Sequence, residues 1–269
     1  MIKILITGAS GFVGQTLIQK LHHNRNLELI VLSRKAVKTL HNDIHQLVGN
    51  DIFSMQWSKD IDVVIHLAGR AHILNEQTTD PLSEFRKVNV EGTLQLARQA
   101  LDKKVKRFIF MSSIGVNGAV TLQQPFTEDA APQPHADYAV SKLEAEQALK
   151  KLFAGSDTEL VIIRPPLVYA AHAPGNFARL LKLVATNLPL PFARTQNKRS
   201  FVALENLVDF IQTCIEHPNA ANQTFLVADQ ESISTRELVQ YLKQGMGKPA
   251  RFIYICLLYT SPSPRDVEE

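Results

Sequence analysis

A chain of 269 residues, 45% hydrophobic and 20% charged, has ordinary globular composition and can bury one large or two modest domains. Its net charge of +3 makes no case for nucleic acid, and its two cysteines, Cys214 and Cys256, make no disulfide framework, which fits a reducing cytoplasm. Its apolar runs are too short for a signal peptide or a membrane span.

Residues 2–6 read as a strand that runs into Thr7-Gly8-Ala9-Ser10-Gly11-Phe12-Val13-Gly14, with a helix-like run over 15–21 behind it. Strand, glycine turn and helix in that order predict a dinucleotide-binding turn: glycines let backbone approach a pyrophosphate, and the helix N-terminus offers it unpaired N–H groups. Residues 27–32 read as a second strand ending in Ser33-Arg34-Lys35. An acidic residue here would bind the ribose hydroxyls of NAD, whereas Arg34 suits a 2′-phosphate and favours NADP. The competing reading makes Arg34 and Lys35 solvated loop charges. His41 and His45 have i, i+4 spacing without a third ligand pattern, which reads as a solvated helix and not as a metal site. Residues 44–48 and 62–67 are further strands, and His66 in the second reads as a satisfied core histidine. Ala68-Gly69 follows as another small-residue turn.

A long helix is expected over 82–101, a strand over 107–111 ending at Ser112-Ser113, and a proline-rich surface loop over 125–134. A helix over 137–152 opens on Asp137 as N-cap candidate, and a strand over 159–163 is halted by Arg164-Pro165-Pro166. Beyond it come a helix over 176–186, a strand over 200–203, a helix over 205–216, a strand over 224–227 and a capping box, Ser234 to Glu237. The alternation predicts an α/β fold with a doubly wound parallel Rossmann sheet and a smaller C-terminal substrate lobe. The domain expectation is 1–165 with 199–222 for the dinucleotide domain, and 166–198 with 223–255 for the lobe.

Tyr138 and Lys142 share one helix face at i, i+4, so a Lys ammonium beside a phenol is expected to lower the phenol's pKa and make it a proton shuttle. Ser113, at a strand end, is placed to hold a substrate oxygen. Taken alone, Tyr-x-x-x-Lys also describes a plain surface pair. It gains weight from the dinucleotide turn and the strand–helix alternation ahead of it.

The glycine turn, Asp51-Ile52, His66-Leu67-Ala68-Gly69, Asn89-Val90-Glu91-Gly92-Thr93, Ser112-Ser113, Tyr138-x-x-x-Lys142 and Arg164-Pro165-Pro166-Leu167-Val168-Tyr169 together resemble the extended short-chain dehydrogenase/reductases. More narrowly the chain resembles the NAD-dependent epimerase/dehydratase family over about residues 1–250, with Asn176-Phe177 and Arg199-Ser200-Phe201-Val202 as further matches. The resemblance implies that Gly8, Gly11, Phe12, Val13 and Gly14 contact the cofactor phosphates, Asp51 and Ile52 flank the adenine, and Ala68 and Gly69 line the cofactor floor. It implies that Asn89 holds the strand-end geometry and that Ser113, Tyr138 and Lys142 are catalytic, with Lys142 also on the nicotinamide ribose. Asn176, Phe177 and Arg199 would meet the nucleotide diphosphate of the substrate.

The chain departs from the family at Val116-Asn117-Gly118, where Val-Tyr-Gly is common, and at Ala170-Ala171, where Gly-Pro is common. Both departures are expected near the sugar and leave two reactions open: C4 epimerisation of a UDP-hexose, and NADPH-dependent reduction of a UDP-4-keto-6-deoxyhexosamine of O-antigen synthesis. A cofactor sensor or scaffold without catalysis is the reading of another class. The resemblance also implies a homodimer through the helices at 82–101 and 138–152. Residues 256–269 do not continue the family pattern and are expected to be foreign to it.

Overall fold

The computed structural model describes residues 1–57, 60–71, 80–121 and 124–254. The stretch expected to be foreign, 256–269, lies outside them. The chain divides into two compact units, Met1–Ala170 with Val202–Ala228, and Ala171–Phe201 with the chain from Asp229 on.

The first unit is a seven-stranded, wholly parallel sheet. Its strands are β1 (Ile2–Thr7), β2 (Leu27–Ser33), β3 (His45–Val48), β4 (Val63–His66), β5 (Arg107–Met111), β6 (Glu159–Arg164) and β9 (Thr224–Leu226), in the order β3-β2-β1-β4-β5-β6-β9. The strands are nearly all apolar because both faces are covered. Ile4, Ile6, Val31 and Ile109 pack on one face with Leu17, Ile18 and Leu21 of α1 (Phe12–His22) and Leu207, Val208 and Ile211 of α6 (Leu204–Glu216). Leu5, Val64, Phe108 and Phe110 pack on the other with Leu96 of α3 (Thr93–Asp102) and Ala145, Leu149 and Phe153 of α4 (Asp137–Phe153). This is the doubly wound Rossmann arrangement. From β1 the chain winds outward to β3, then returns to lay β4 on the other side of β1. The crevice at the C-terminal ends of β1 and β4 is the switch point where such sheets bind ligands.

Several boundaries differ from expectation. The expected helix over 82–101 is broken into α2 (Pro81–Arg86), a π-helical segment (Lys87–Gly92) and α3. Asp137 is not the N-cap of α4: Ala136 occupies that position without a side-chain cap, and Asp137 lies in the first turn, where its charge still suits the dipole. The 41–45 stretch is no helix, since His45 opens β3. Regular structure resumes after the two prolines as β7 (Leu167–Tyr169), which pairs with β8 (Phe201–Ala203), whose last two residues belong to the first unit. Thr224–Leu226, placed by the domain expectation in the lobe, joins the main sheet as β9, because β6 would otherwise leave its outer backbone unpaired.

The second unit packs α5 (Gly175–Ala185) and α7 (Thr235–Gly245) around Val184, Leu190 and Val239. The expected capping box is present at the start of α7, with the Ser234 hydroxyl accepting from Glu237 N and Ser234 N donating to the Glu237 carboxylate. Lys243 and Lys248 donate to the Thr186 and Ala185 carbonyls at the end of α5. No helix among the described residues is long and apolar enough to cross a membrane.

Candidate active site

Thr7 and His66 are paired in register at the ends of β1 and β4, so the glycine turn and the Leu67-Ala68-Gly69 turn leave the sheet side by side. Their approach is closer than side chains allow. Gly8 has φ +77°, and a Cβ on it would stand 2.6 Å from Ala68 N. A Cβ on Gly14 would stand 2.2 Å from the Gly8 carbonyl oxygen. Gly11 is the N-cap of α1 and offers no side-chain cap, and the first turn of the helix carries no acid. These residues fit a dinucleotide pyrophosphate: the backbone is bare, the donors are uncapped, and no carboxylate opposes an anion. Phe12 and Val13 are partly buried against the core behind the turn.

A buried polar chain fixes the two turns. Ala68 N donates to Thr7 Oγ1 at 3.2 Å, Thr7 Oγ1 meets His66 Nδ1 at 2.7 Å, and His66 Nε2 meets Thr93 Oγ1 at 2.8 Å. A neutral His66 with its proton on Nε2 satisfies every partner in this chain. Burial, reinforced by the Lys142 charge, pushes His66 down to about 3, so it stays neutral. The core-histidine expectation therefore describes its setting. Asn89, fully buried in the π-helical segment, accepts from Arg70 N at 2.8 Å and donates to Arg70 O and Ser141 Oγ, each at 3.0 Å. Ser141 in turn donates to Tyr138 O at 2.8 Å. One amide thus ties the Gly69-Arg70 turn to the first turn of α4.

Lys142 comes from α4 to the same place. Its Nζ donates to Met111 O at 2.9 Å, stands 4.6 Å from the Phe110 ring centroid, and would be 3.3 Å from a Cβ on Gly69. Burial lowers Lys142 to about 8, opposed by the Glu146 charge. Tyr138 is partly buried on the same helix face, with its ring edge-on to Phe85. The expected lowering of its pKa is not found: burial pushes the phenol up to about 12. The reason is distance and occupation, since Lys142 Nζ lies 5.9 Å from the Tyr138 ring centroid and spends a hydrogen bond on Met111 O. Ser113 follows β5 in extended conformation, and its Oγ accepts from Gly115 N at 3.1 Å. The structure thus places Gly8, Gly14, Ala68, Gly69, Asn89, Ser113, Tyr138 and Lys142 around the C-terminal ends of β1, β4 and β5.

The remaining predicted residues are placed differently. Arg34 is exposed just past the end of β2, with no carboxylate in the Ser33-Arg34-Lys35 run. Asp51 is exposed, its carboxyl held below the usual range by Ser54 and by the Phe53 N–H, while the Ile52 side chain is buried in the core. Asn176 and Arg199 are exposed in the second unit, on the first turn of α5 and beside the Arg199–Ile233 bridge, and the Phe177 side chain is buried there. Asn117, expected near the sugar, is instead 2% exposed and accepts from Arg164 Nη1 at 3.0 Å while donating to Thr127 O at 2.9 Å. An amide can satisfy both partners inside the protein. His41 does not pair with His45 but stacks on His22, with ring centroids 4.2 Å apart and planes 15° apart. With Asp43 they are the only group of three histidine, cysteine or carboxylate ligands within 4.8 Å of one another among the described residues.

Sequence reasoning missed Glu146 and the Arg164 side chain. Glu146 is 1% exposed and Arg164 3% exposed, and they bond through Arg164 Nε and Nη2 to the two carboxylate oxygens at 2.9 and 2.5 Å. A signal existed: Tyr138, Lys142 and Glu146 recur every four residues on one face, and an arginine closing a buried strand needs an anion.

The model of the NAD dependent epimerase/dehydratase family matches residues 4–228. A UDP-glucose 4-epimerase of Vibrio cholerae is 45% identical over 254 residues, covering 91% of this chain and 76% of that protein. An undecaprenol-linked N-acetylglucosamine 4-epimerase of Escherichia coli O157:H7 is 27% identical over 249 residues, covering 91% and 72%. Among solved structures, the UDP-glucuronic acid 4-epimerase of Bacillus cereus in complex with UDP-glucuronic acid and NAD is 25% identical, with a TM-score of 0.80 over 94% of this chain and 86% of that one.

Proposed function

The chain belongs to the NAD-dependent epimerase/dehydratase family, and from that premise we propose that it inverts C4 of a UDP-linked hexose. What supports the reading is that Lys142 reaches Met111 O at the end of β5, two residues before Ser113 and one helical turn after Tyr138, in a chain 45% identical to a UDP-glucose 4-epimerase. Gly8, Gly11, Phe12, Val13 and Gly14 hold the cofactor phosphates, Asp51 and Ile52 flank the adenine, Ala68 and Gly69 form the floor under the cofactor, and Lys142 bonds the nicotinamide ribose. The bound nicotinamide supplies a reversible hydride acceptor. Ser113 holds the C4 oxygen, and Tyr138 takes the proton of the C4 hydroxyl and later returns it. To take that proton Tyr138 must start as a phenolate, which burial disfavours in this structure and which the Lys142 ammonium would favour in the cofactor-bound site. Asn176, Phe177 and Arg199 hold the nucleotide diphosphate. The working molecule is a cytoplasmic homodimer. A reducing compartment suits Cys214, a buried thiol that burial pushes up to about 11.

One observation favours a second reading. The exposed Arg34-Lys35 pair at the end of β2 suits NADP, which is the cofactor of a one-way 4-ketoreductase. A panel of UDP-sugars assayed with NADH and NADPH, followed by product NMR, decides. Bound NAD and interconversion of C4 epimers without net cofactor use support the epimerase. Stoichiometric NADPH consumption with a 4-keto sugar overturns it in favour of the reductase.

A further inference from the structure

Among the described residues the buried charged side chains are Arg107, Lys142, Glu146, Arg164 and Lys243, which leaves Glu146 as the one buried carboxylate. It sits one helical turn beyond Lys142 and serves the ends of two strands, β5 and β6, at once. Besides the two bonds from Arg164, it accepts from Ser112 Oγ at 2.5 Å. Ser112 is held again by its N–H to Ile163 O at 2.7 Å, and Ile114 N donates to Pro165 O at 3.0 Å. Ser113 is therefore pinned on both sides, and both anchors lead to Glu146, through Ser112 directly and through Arg164 next to Pro165. The Met111 carbonyl that receives the Lys142 ammonium is one residue before Ser112.

We propose that Glu146 is a positioning residue of the reaction, holding the 111–114 segment that presents Ser113 and supplying the buried negative charge that keeps the Lys142 side chain an ammonium. The surroundings of Lys142 leave that task to Glu146. From β4 it faces neutral His66, from the π-helical segment the Asn89 amide, from β5 the Met111 carbonyl and the Phe110 ring, and from its own helix Tyr138 and Glu146. Arg164, on β6, brings a like charge that is consumed by Glu146. Burial alone favours the neutral amine, and a carboxylate at i+4 opposes it. The role assigned to Lys142 rests on the epimerase reading, but the ionisation of Lys142 does not.

The test follows the Lys142 Cε signal by ¹³C NMR across pH in lysine-labelled protein, with the signal identified by its loss in Lys142→Met. Wild type is expected to titrate near pH 8. Glu146→Gln is expected to titrate at least tenfold more acidic, and the alkaline limb of the turnover profile is expected to move with it. If Glu146→Gln fails to fold, the Glu146→Gln/Arg164→Met pair takes its place, with a smaller acid shift expected because the like charge of Arg164 goes with the carboxylate; no shift in that pair then overturns the inference. Ser112→Ala keeps the carboxylate and should leave the Lys142 titration where it is. An unchanged Lys142 titration in Glu146→Gln overturns the inference, as does an equal shift in Ser112→Ala. A wild type inactive on every nucleotide sugar would sink the epimerase reading while the titration still decides the role of Glu146 in ionising Lys142.

Discussion

At the scale of single residues, the site separates groups that react from groups that stay silent. Tyr138, with its phenol at about 12, is protonated throughout the neutral range and needs the bound assembly to lose its proton. Tyr138→Phe keeps the ring against Phe85 and deletes only the hydroxyl. It should lower kcat by roughly 10²–10⁴-fold while NAD retention is unchanged, measured by steady-state kinetics and by the absorbance of bound cofactor. Full turnover in that variant would remove Tyr138 from the chemistry. His66 makes the opposite case, since burial holds its folded value near 3 against 6.5 for the free side chain. The unfolded chain therefore binds a proton that the folded chain refuses. Stability is lost as pH falls from 6.5 towards 3, by at most about 1.4 kcal/mol per pH unit from this group. In urea titrations between pH 4 and 7, His66→Gln should show a shallower acid limb than wild type, whatever its absolute stability. Parallel limbs would mean that His66 does not carry this proton.

At the scale of elements, the β1–turn–α1 unit stands on backbone contacts that no side chain can share. Gly14→Ala drives a Cβ into the Gly8 carbonyl and should destabilise by at least ~2 kcal/mol and abolish cofactor retention. Ser234→Ala loses one cap bond at the start of α7 and should cost only about 1 kcal/mol, with retention intact. Chemical denaturation of both variants checks the contrast, and a mild effect at Gly14 would refute the close approach. The same elements show what was legible in the sequence. The glycine turn, the apolar strands and the capping box could be read because each is a local pattern with a local cause. The π-helical segment could not, because it is fixed by Asn89 reaching Arg70, 19 residues away in the chain. Nor could the fate of Asn117, whose partners are an arginine on β6 and a carbonyl ten residues on. The Tyr138–Lys142 spacing was legible as a shared face, but spacing says nothing of burial, and burial set the ionisation of both groups.

At the scale of the molecule, two expectations concern what the first unit does as a whole. The proposed homodimer pairs the helical face that includes α2 and α4, which the bidentate Arg86–Glu144 bond ties together, and on that proposal light scattering at micromolar concentration should report a dimer. A monomer under those conditions refutes the pairing. The other expectation concerns the cofactor, which binds the folded unit and not the unfolded chain. At about 100 times its dissociation constant a cofactor stabilises the fold by about 2.7 kcal/mol, or roughly 5–10 °C in Tm for a unit of this size. On the reductase reading Arg34 sets which cofactor gives the larger shift, because a guanidinium would have a 2′-phosphate to bind in NADP and only hydroxyls in NAD. On the epimerase reading wild type is stabilised more by NAD than by NADP at equal concentration, and on the reductase reading the order is reversed. Arg34→Ala should lose about tenfold in NADP affinity, equal to about 1.4 kcal/mol, and nothing for NAD. A larger shift with NAD, unmoved by Arg34→Ala, would make Arg34 the solvated loop charge that its exposure also allows, and would leave the epimerase reading standing alone.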